Sequence, residues 1–304
     1  MMSAADPRAV EFEAHRDVLM GVAYRMLGSV SDAEDIVQDA WLRWRDASDV
    51  ESPRGWLVRV VSRLCLDRLK SARVRREQYF GTWLPEPLVE KVSVEGGAGV
   101  AGGGARAGEV DDSVSIALML VLEKLSPVER AGFLLHDVFG YDFAEIAGIL
   151  EKTEPACRKL VSRARERVRT ERPRFAASHA EHEELLQRFL GACRGGEIEP
   201  LLGLFGESVA FYSDGGGKAA AVPKVLTERE VIAKFFIGVV RNLGASGFEL
   251  RPTRFNGAPG VLFLVGGVVV TALSLDVSDG KIVAIFGHRN PDKLREFSAD
   301  HGRR

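Results

Sequence analysis

Cysteine is scarce in this 304-residue chain: Cys65, Cys157 and Cys193 are far apart and odd in number. There is no Cys-x-x-Cys pair and no His/Cys cluster. His179 and His182 lie three apart with no companion ligand pair, so a zinc site and a disulfide framework are both excluded. Each cysteine falls in a helical pattern beside apolar residues and reads as a buried thiol of a reducing cytoplasm. Long apolar runs are missing too. No stretch reaches the ~18 apolar residues of a membrane span, and the first residues, MMSAADPRAVEFEAH, lack an apolar signal core. The expectation is a cytoplasmic protein, neither exported nor membrane-associated. Net charge is almost absent at −2, which argues against a uniformly basic nucleic-acid coat. The remaining composition is that of ordinary globular material, long enough for two or three domains.

Charge is concentrated where the total conceals it. Arg59 to Arg76 holds seven basic residues and one acid, and Glu151 to Arg174 holds nine basic and four acidic. The second block belongs to the most informative stretch, Ser126 to Arg169. Ser126-Pro-Val-Glu129 is a capping box with proline in the first turn. A short helix with the inner stripe Phe143, Ile146, Ala147 and Leu150 is followed by a turn. A second helix starts at the cap Thr153, with Pro155 in its first turn. Cys157, Leu160, Val161, Ala164 and Val168 point inward. Arg158, Ser162, Arg165 and Arg169 align outside, flanked by Lys159 and Arg163. This is a helix-turn-helix pattern, which places one helix in the DNA major groove. Its basic face can neutralise phosphates and set Arg158 or Lys159 at base edges. The bland alternative is a solvated arginine-rich helix. The turn departs from the common pattern, because Glu151-Lys152 stands where a glycine is usual.

Upstream, residues 8–76 read as three helices. Phe12, Val18, Leu19, Val22, Ala23, Met26 and Leu27 keep a helical period, and Gly28 is the expected C-cap. Ser31-Asp-Ala-Glu34 reads as the next cap, with Ile36, Val37, Ala40, Trp41 and Trp44 as the apolar stripe. A polar loop, Asp46–Arg54, precedes a helix from about Gly55 to Arg75. Its Trp56, Leu57, Val60, Val61, Leu64 and Leu66 are expected to be buried. That helix and loop suit tracking of a single strand, or are merely an amphipathic surface helix. Residues 96–108 hold seven Gly and four Ala in thirteen positions and read as a flexible linker. Helices resume at about Asp112 and run to about Arg172. Beyond Pro173 come helices at about 179–193, 197–205 and 227–241, and strands at 208–213, 247–255, 260–265, 267–277 and 281–289. Val277-Ser-Asp-Gly-Lys281 is a hairpin signal. Helices followed by a meander of strands indicate an α+β domain.

The run Ser31-Asp-Ala-Glu-Asp-Ile-Val-Gln-Asp-Ala-Trp41 strongly resembles the polymerase-binding segment of sigma-70 initiation factors of the extracytoplasmic-function (ECF) group. With the helix-turn-helix in the right order, the resemblance covers about residues 8–172. It implies that Asp32, Asp35, Gln38 and Trp41 meet the β′ clamp helices of RNA polymerase core. It implies that Trp56, Arg59, Arg63, Arg68 and Arg73 open and read the minus-10 element of promoter DNA. It places the helix-turn-helix, 142–165, on the minus-35 element beside the β flap, through Thr153, Arg158, Lys159, Ser162, Arg163 and Arg165. Acidic side chains suit a basic clamp, and arginine faces suit DNA.

Three strings narrow the resemblance to ECF factors with a fused SnoaL-like (NTF2-like) domain. They are Trp83-Leu84-Pro85-Glu86-Pro87, Asp214-Gly215-Gly216-Gly217-Lys218 and Asn290-Pro291-Asp292-Lys293-Leu294. The fold class implied is multidomain: two all-α sigma domains, 8–78 and 112–172, then an α+β NTF2-like cone, 178–304, with 79–111 as linker. The resemblance implies that the cone regulates the sigma part in place of a separate anti-sigma protein, and contact with the sigma domains through these strings is expected. On their residues alone the strings are more modest. The first is a rigid extended segment, the second a close-approach or anion-binding turn without the P-loop spacing, and the third a C-terminal turn. His288, Asp276, Asp214 and Tyr212 lie on strand-like runs and are the candidates for an acid/base pair in a pocket. No catalytic residue, cofactor or metal is expected, and the pocket could hold a small ligand. The alternatives are a stand-alone helix-turn-helix regulator that senses a ligand, and a cyclase- or isomerase-like pocket enzyme.

Overall fold

The computed structural model describes residues 6–77, 79–88, 115–171 and 178–299, without the side chains of 71–77, 245–246 and 298–299. The glycine-rich stretch 96–108, the helix start near Asp112 and the Arg73 side chain lie outside these. The described residues form two compact units. One comprises 6–77 and 121–171, and the other 79–88, 115–120 and 178–299. Residues 79–88, read above as linker, therefore pack with the C-terminal unit.

The helical unit begins with α1 (Pro7–Leu27), α2 (Val30–Arg45) and α3 (Pro53–Glu77). Gly28 ends α1 in the left-handed region at φ 68°, as its C-cap role requires. The cap of α2 is Ser29, not Ser31: its hydroxyl accepts from the Asp32 N–H at 3.3 Å, and Ser31 lies inside the helix. The buried stripe of α3 is also rotated from expectation. Leu57, Val58, Val61, Cys65 and Leu69 are buried, while Trp56, Val60, Leu64 and Leu66 are half-buried. These buried positions repeat at i, i+4 and i+8, the stripe that packs on α1 and α2.

The second half of this unit holds α5 (Pro127–Phe133), which runs into a π-helical turn at Leu134–Val138, then α6 (Phe143–Leu150) and α7 (Glu154–Glu171); α4 (Ile116–Glu123) precedes them. Both expected caps are present. Ser126 with Glu129 forms a reciprocal capping box, and the Ala156 N–H donates to Thr153 Oγ1. Asp142 with Glu145 adds a further box at the start of α6. Cys157, Leu160, Val161 and Ala164 bury the inner face of α7. Arg130 of α5 is buried and donates to Leu122 O at 2.9 Å, Met26 O at 2.6 Å and Glu123 Oε1 at 2.6 Å. It thereby fastens α5 to the C-terminal end of α1, where a helix favours a cation. Burial pulls its pKa down to about 9, so it remains charged at neutral pH.

The C-terminal unit packs α8 (His179–Gly195), α9 (Ile198–Leu204) and α10 (Arg229–Ser246) on a five-stranded sheet in the order β1-β5-β4-β3-β2. The strands are β1 (Phe205–Asp214), β2 (Glu249–Phe255), β3 (Ala258–Val265), β4 (Val268–Ser278) and β5 (Lys281–His288). β2 to β5 form the expected antiparallel meander, whereas β1 joins its edge parallel to β5. The hairpin at 277–281 turns through Asp279 and Gly280, both at positive φ, as a two-residue loop demands.

Strand alternation gives the sheet two buried faces. Phe211, Val261, Phe263, Leu273, Leu275 and Ile285 face the helices and pack with Phe189, Phe205 and Phe236. The opposite face is covered by other parts of the chain. Leu84 and Ile116 pack on Ala284 and Phe286, and Leu294 and Phe297 pack on Phe255, Leu262 and Leu264. Leu294 belongs to a short 3-10 turn (Pro291–Leu294), after which α11 (Arg295–Ala299) follows.

Candidate functional site

The acidic helix α2 presents Asp35 and Gln38 to solvent, with Asp32 and Trp41 half-buried. Trp41 packs edge-on against Phe12, with centroids 5.2 Å apart. Asp32 and Asp35 share one partner: Arg68 of α3 lies 3.4 Å from Asp32 Oδ1 and 2.8 Å from Asp35 Oδ2. The expected polymerase contacts and an expected DNA contact are thus one ion-pair group. Spacing within each helix cannot reveal such a link, which spans 33 to 36 positions.

On α3, Trp56 stands against Trp44 at 5.6 Å, and Arg59 is exposed. Arg63 donates to Gly148 O and Ile149 O, each at 3.4 Å, and pairs with Glu151 at 2.8 Å. On α7, Thr153, Arg158, Lys159, Ser162, Arg163 and Arg165 are all exposed. Arg158 lies over the Phe143 ring and pairs with Glu154 at 3.1 Å, while Arg165 meets Asp137 at 2.8 Å. Such exposed pairs are worth about 0.2–1 kcal/mol, so a DNA phosphate competes with them on equal terms.

The densest polar site lies in the C-terminal unit, at the end of β1. Asp214 is fully buried. Its Oδ1 accepts from Tyr79 Oη at 2.6 Å and from the Gly216 N–H at 3.1 Å. Its Oδ2 accepts from the Leu84 N–H at 2.9 Å and from Lys293 Nζ at 2.8 Å. Its backbone carbonyl accepts from the N–H groups of Arg289 and Asn290. Lys293 also donates to Leu84 O and lies 4.5 Å from the Trp83 ring centroid and 5.3 Å from that of Tyr79. The ammonium is thus held by a carboxylate, a carbonyl and two ring faces, a desolvated cation–π arrangement.

The strings found in the sequence meet here. Asn290 donates through Nδ2 to Tyr79 Oη at 2.9 Å, and its Oδ1 caps the Asp292 N–H. Pro291 opens the 3-10 turn that carries Lys293 and the buried Leu294. Lys218 pairs with Asp292, and that ammonium, with Arg295, holds the Asp292 carboxyl below its usual range. Pro85 is buried, and its carbonyl accepts from His288 Nε2 at 2.9 Å, which fixes the proton on that nitrogen. Farther along, the Leu88 N–H donates to Asn256 Oδ1 and the Asn256 N–H donates to Leu88 O. The backbone groups of Pro85 and Leu88 thus bond to the sheet unit, as a bound peptide's would.

The glycines have separate tasks. Gly215 O accepts from the Lys218 and Ala219 N–H groups, closing the turn. Gly216 turns its N–H onto Asp214, so this turn serves the protein's own carboxylate. Gly217, at φ 70°, lies under the exposed Phe80. At Gly216, with φ 60°, a methyl group would land on the Asn290 amide. Gly216→Ala is therefore expected to lower stability by at least about 1–2 kcal/mol from backbone conformation alone. Urea denaturation of the variant checks this.

Tyr212, Asp214, Asp276 and His288 do share a sheet face, but not the one facing α8–α10. Asp214 is the register partner of His288, and Asp276 that of Ala284. As candidates for an acid/base pair in a pocket they lie, by strand alternation, on the face away from α8–α10. Asp214 and His288 lie beneath the 79–88 segment, with Asp214 committed to Lys293. Burial holds His288 neutral, with its pKa lowered to about 4, and Lys293 adds to that effect. Sequence reasoning missed Tyr79, Asn256 and the Arg63–Glu151 pair. Asn256-Gly257 was a readable hairpin dipeptide, with both residues at positive φ. Among the described residues no helix is long and apolar enough to cross a membrane, and no cluster of His, Cys, Asp and Glu suits a metal ion.

Residues 12–75 match the family model of sigma-70 region 2, and residues 115–168 that of sigma-70 region 4. The chain is similar to the ECF RNA polymerase sigma factor SigJ of Mycobacterium tuberculosis (strain ATCC 25618 / H37Rv). Identity is 40% over 300 residues, covering 93% of this chain and 92% of that one. It is also 33% identical over 308 residues to a probable ECF RNA polymerase sigma factor SigI of Mycobacterium tuberculosis (strain CDC 1551 / Oshkosh), covering 99% of each. The crystal structure of the Mycobacterium tuberculosis extracytoplasmic function sigma factor SigJ matches with a TM-score of 0.74 and 36% identity, over 94% of this chain and 98% of that one.

Proposed function

The chain belongs to the extracytoplasmic-function sigma factors of the sigma-70 family, and from that premise we propose that its promoter-directed activity is set in cis by docking of its own 79–88 segment on the C-terminal sheet. Its partners as a sigma factor are RNA polymerase core and promoter DNA. Asp32, Asp35, Gln38 and Trp41 meet the polymerase. Trp56, Arg59, Arg63 and Arg68 serve the minus-10 element, and the exposed face of α7 serves the minus-35 element. Arg68 also orients Asp32 and Asp35.

One observation carries the regulatory reading. A buried Asp214 accepts from Tyr79 Oη and the Leu84 N–H, and its partner Lys293 donates to Leu84 O and lies over the Trp83 ring. Buried ionic groups dedicated to one extended segment are expensive unless the docked position itself matters. The segment follows α3 directly in sequence, so docking fixes the tether of the minus-10 helix. No catalysis is assigned to the C-terminal unit. Trp83→Ala and Asp292→Asn are expected to change promoter output by threefold or more, on the order of 0.7 kcal/mol, with polymerase-core affinity unchanged. In vitro transcription with core saturated by each variant checks this; wild-type output from both would end the regulatory reading while leaving the sigma assignment in place.

A further inference from the structure

Glu151 stands in the turn between α6 and α7 at φ 54° and ψ 48°. This is the left-handed conformation in which glycine is the residue of low cost. A glutamate there is unfavourable for the turn and calls for another use of its side chain. That side chain reaches α3: its Oε1 lies 2.8 Å from Arg63 Nη2. The same guanidinium donates to the carbonyls of Gly148 and Ile149, at the C-terminal end of α6. Those carbonyls form the negative end of the helix dipole. Arg63 therefore faces one negative charge and a set of oxygen acceptors, which is also what a DNA phosphate offers an arginine. Arg59, one turn earlier on α3, is exposed, and its Nη2 lies 3.6 Å from where a Cβ on Gly148 would stand.

We propose that Glu151 and the α6 carbonyls act as an intramolecular stand-in for a phosphate, holding Arg63 away from DNA until promoter DNA displaces them. The idea rests on the reading above that Arg63 contacts DNA. The pair is solvent-accessible, with side-chain exposures of 42% for Arg63 and 74% for Glu151. A latch of that exposure is weak enough to be opened by a phosphate and is screened by salt.

The test uses the full chain and a fluorescein-labelled single-stranded oligodeoxynucleotide, with affinity read by anisotropy. Glu151→Gly suits the turn and keeps the fold, and Glu151→Gln keeps the side-chain length without the charge. Both are expected to bind about two- to fivefold tighter than wild type at low salt, with the gain shrinking as salt rises. In an Arg63→Ala background the same substitutions are expected to have no effect. Wild-type affinity in both Glu151 variants would overturn the proposal. So would an equal gain in the Arg63→Ala background, which would mean only that one acidic charge had been removed. If Arg63→Ala alone binds like wild type, the assignment of Arg63 to DNA fails, and the proposal fails with it. Control by the 79–88 segment is untouched by any of these outcomes.

Discussion

Replacing Asp214 by alanine is expected to destabilise the C-terminal unit by about 3–5 kcal/mol, the range for breaking a buried ion pair from one side. The reasons are specific. Lys293 Nζ would lose its carboxylate partner in a place where its side chain is 11% exposed. Tyr79 Oη would lose its acceptor, and the Leu84 N–H would be left without a partner in a buried position. All of these groups except Lys293 lie on the segment, so its docking absorbs much of the loss. Hydrogen exchange at the Leu84 and Leu88 amides is the direct readout, with Leu84 losing protection first. Asp214→Ala with Lys293→Met should recover part of the stability, because it removes the stranded charge. If the double variant is less stable than Asp214→Ala, the ion pair is not what holds the segment.

Acid should release stability through two buried histidines. His288 and His182 both have pKa values lowered from 6.5 to about 4, by burial first in each case. Around His288 the charged groups are Lys293, which disfavours protonation, and Asp214, which favours it. Around His182 they are His179 and Arg254, both disfavouring it. An unfolded chain takes up these protons as pH falls below 6.5, whereas the folded unit takes them up only near 4. The stabilisation is thus complete above pH 6.5, declines between 6.5 and 4, and is gone below 4. Each histidine contributes at most about 3 kcal/mol of this slope. His288→Asn should remove roughly half of the pH dependence between 6.5 and 4. Urea denaturation at a series of pH values checks this, and an unchanged slope in that variant would remove His288 from the account.

Much of this was readable from the chain because it depends on local spacing. The caps Gly28, Ser126 and Thr153, the alternation along the strands and the Asp279-Gly280 turn are governed by neighbours within four residues. Errors appeared where two local solutions compete. Ser29 and Ser31 can both cap α2, and only packing against α1 selects the first. The buried stripe of α3 includes Val58 and Cys65, because α1 and α2 dictate which face turns inward. The three strings were visible as motifs, but their convergence on Asp214 was not. Tyr79 and Leu84 lie 135 and 130 positions from Asp214, and no periodicity connects them. The glutamate in the helix-turn-helix turn was visible as an oddity, yet its partner Arg63 lies on a helix far upstream in sequence.

The central claim is that docking of 79–88 controls promoter output in cis. Its most direct measurement is run-off transcription by core polymerase saturated with wild type or with Asp214→Ala, alongside hydrogen exchange at Leu84 in the same preparations. The account predicts that output shifts by threefold or more in the variant whose Leu84 amide has lost protection. Equal output from the two proteins, with the segment released in one, would contradict it.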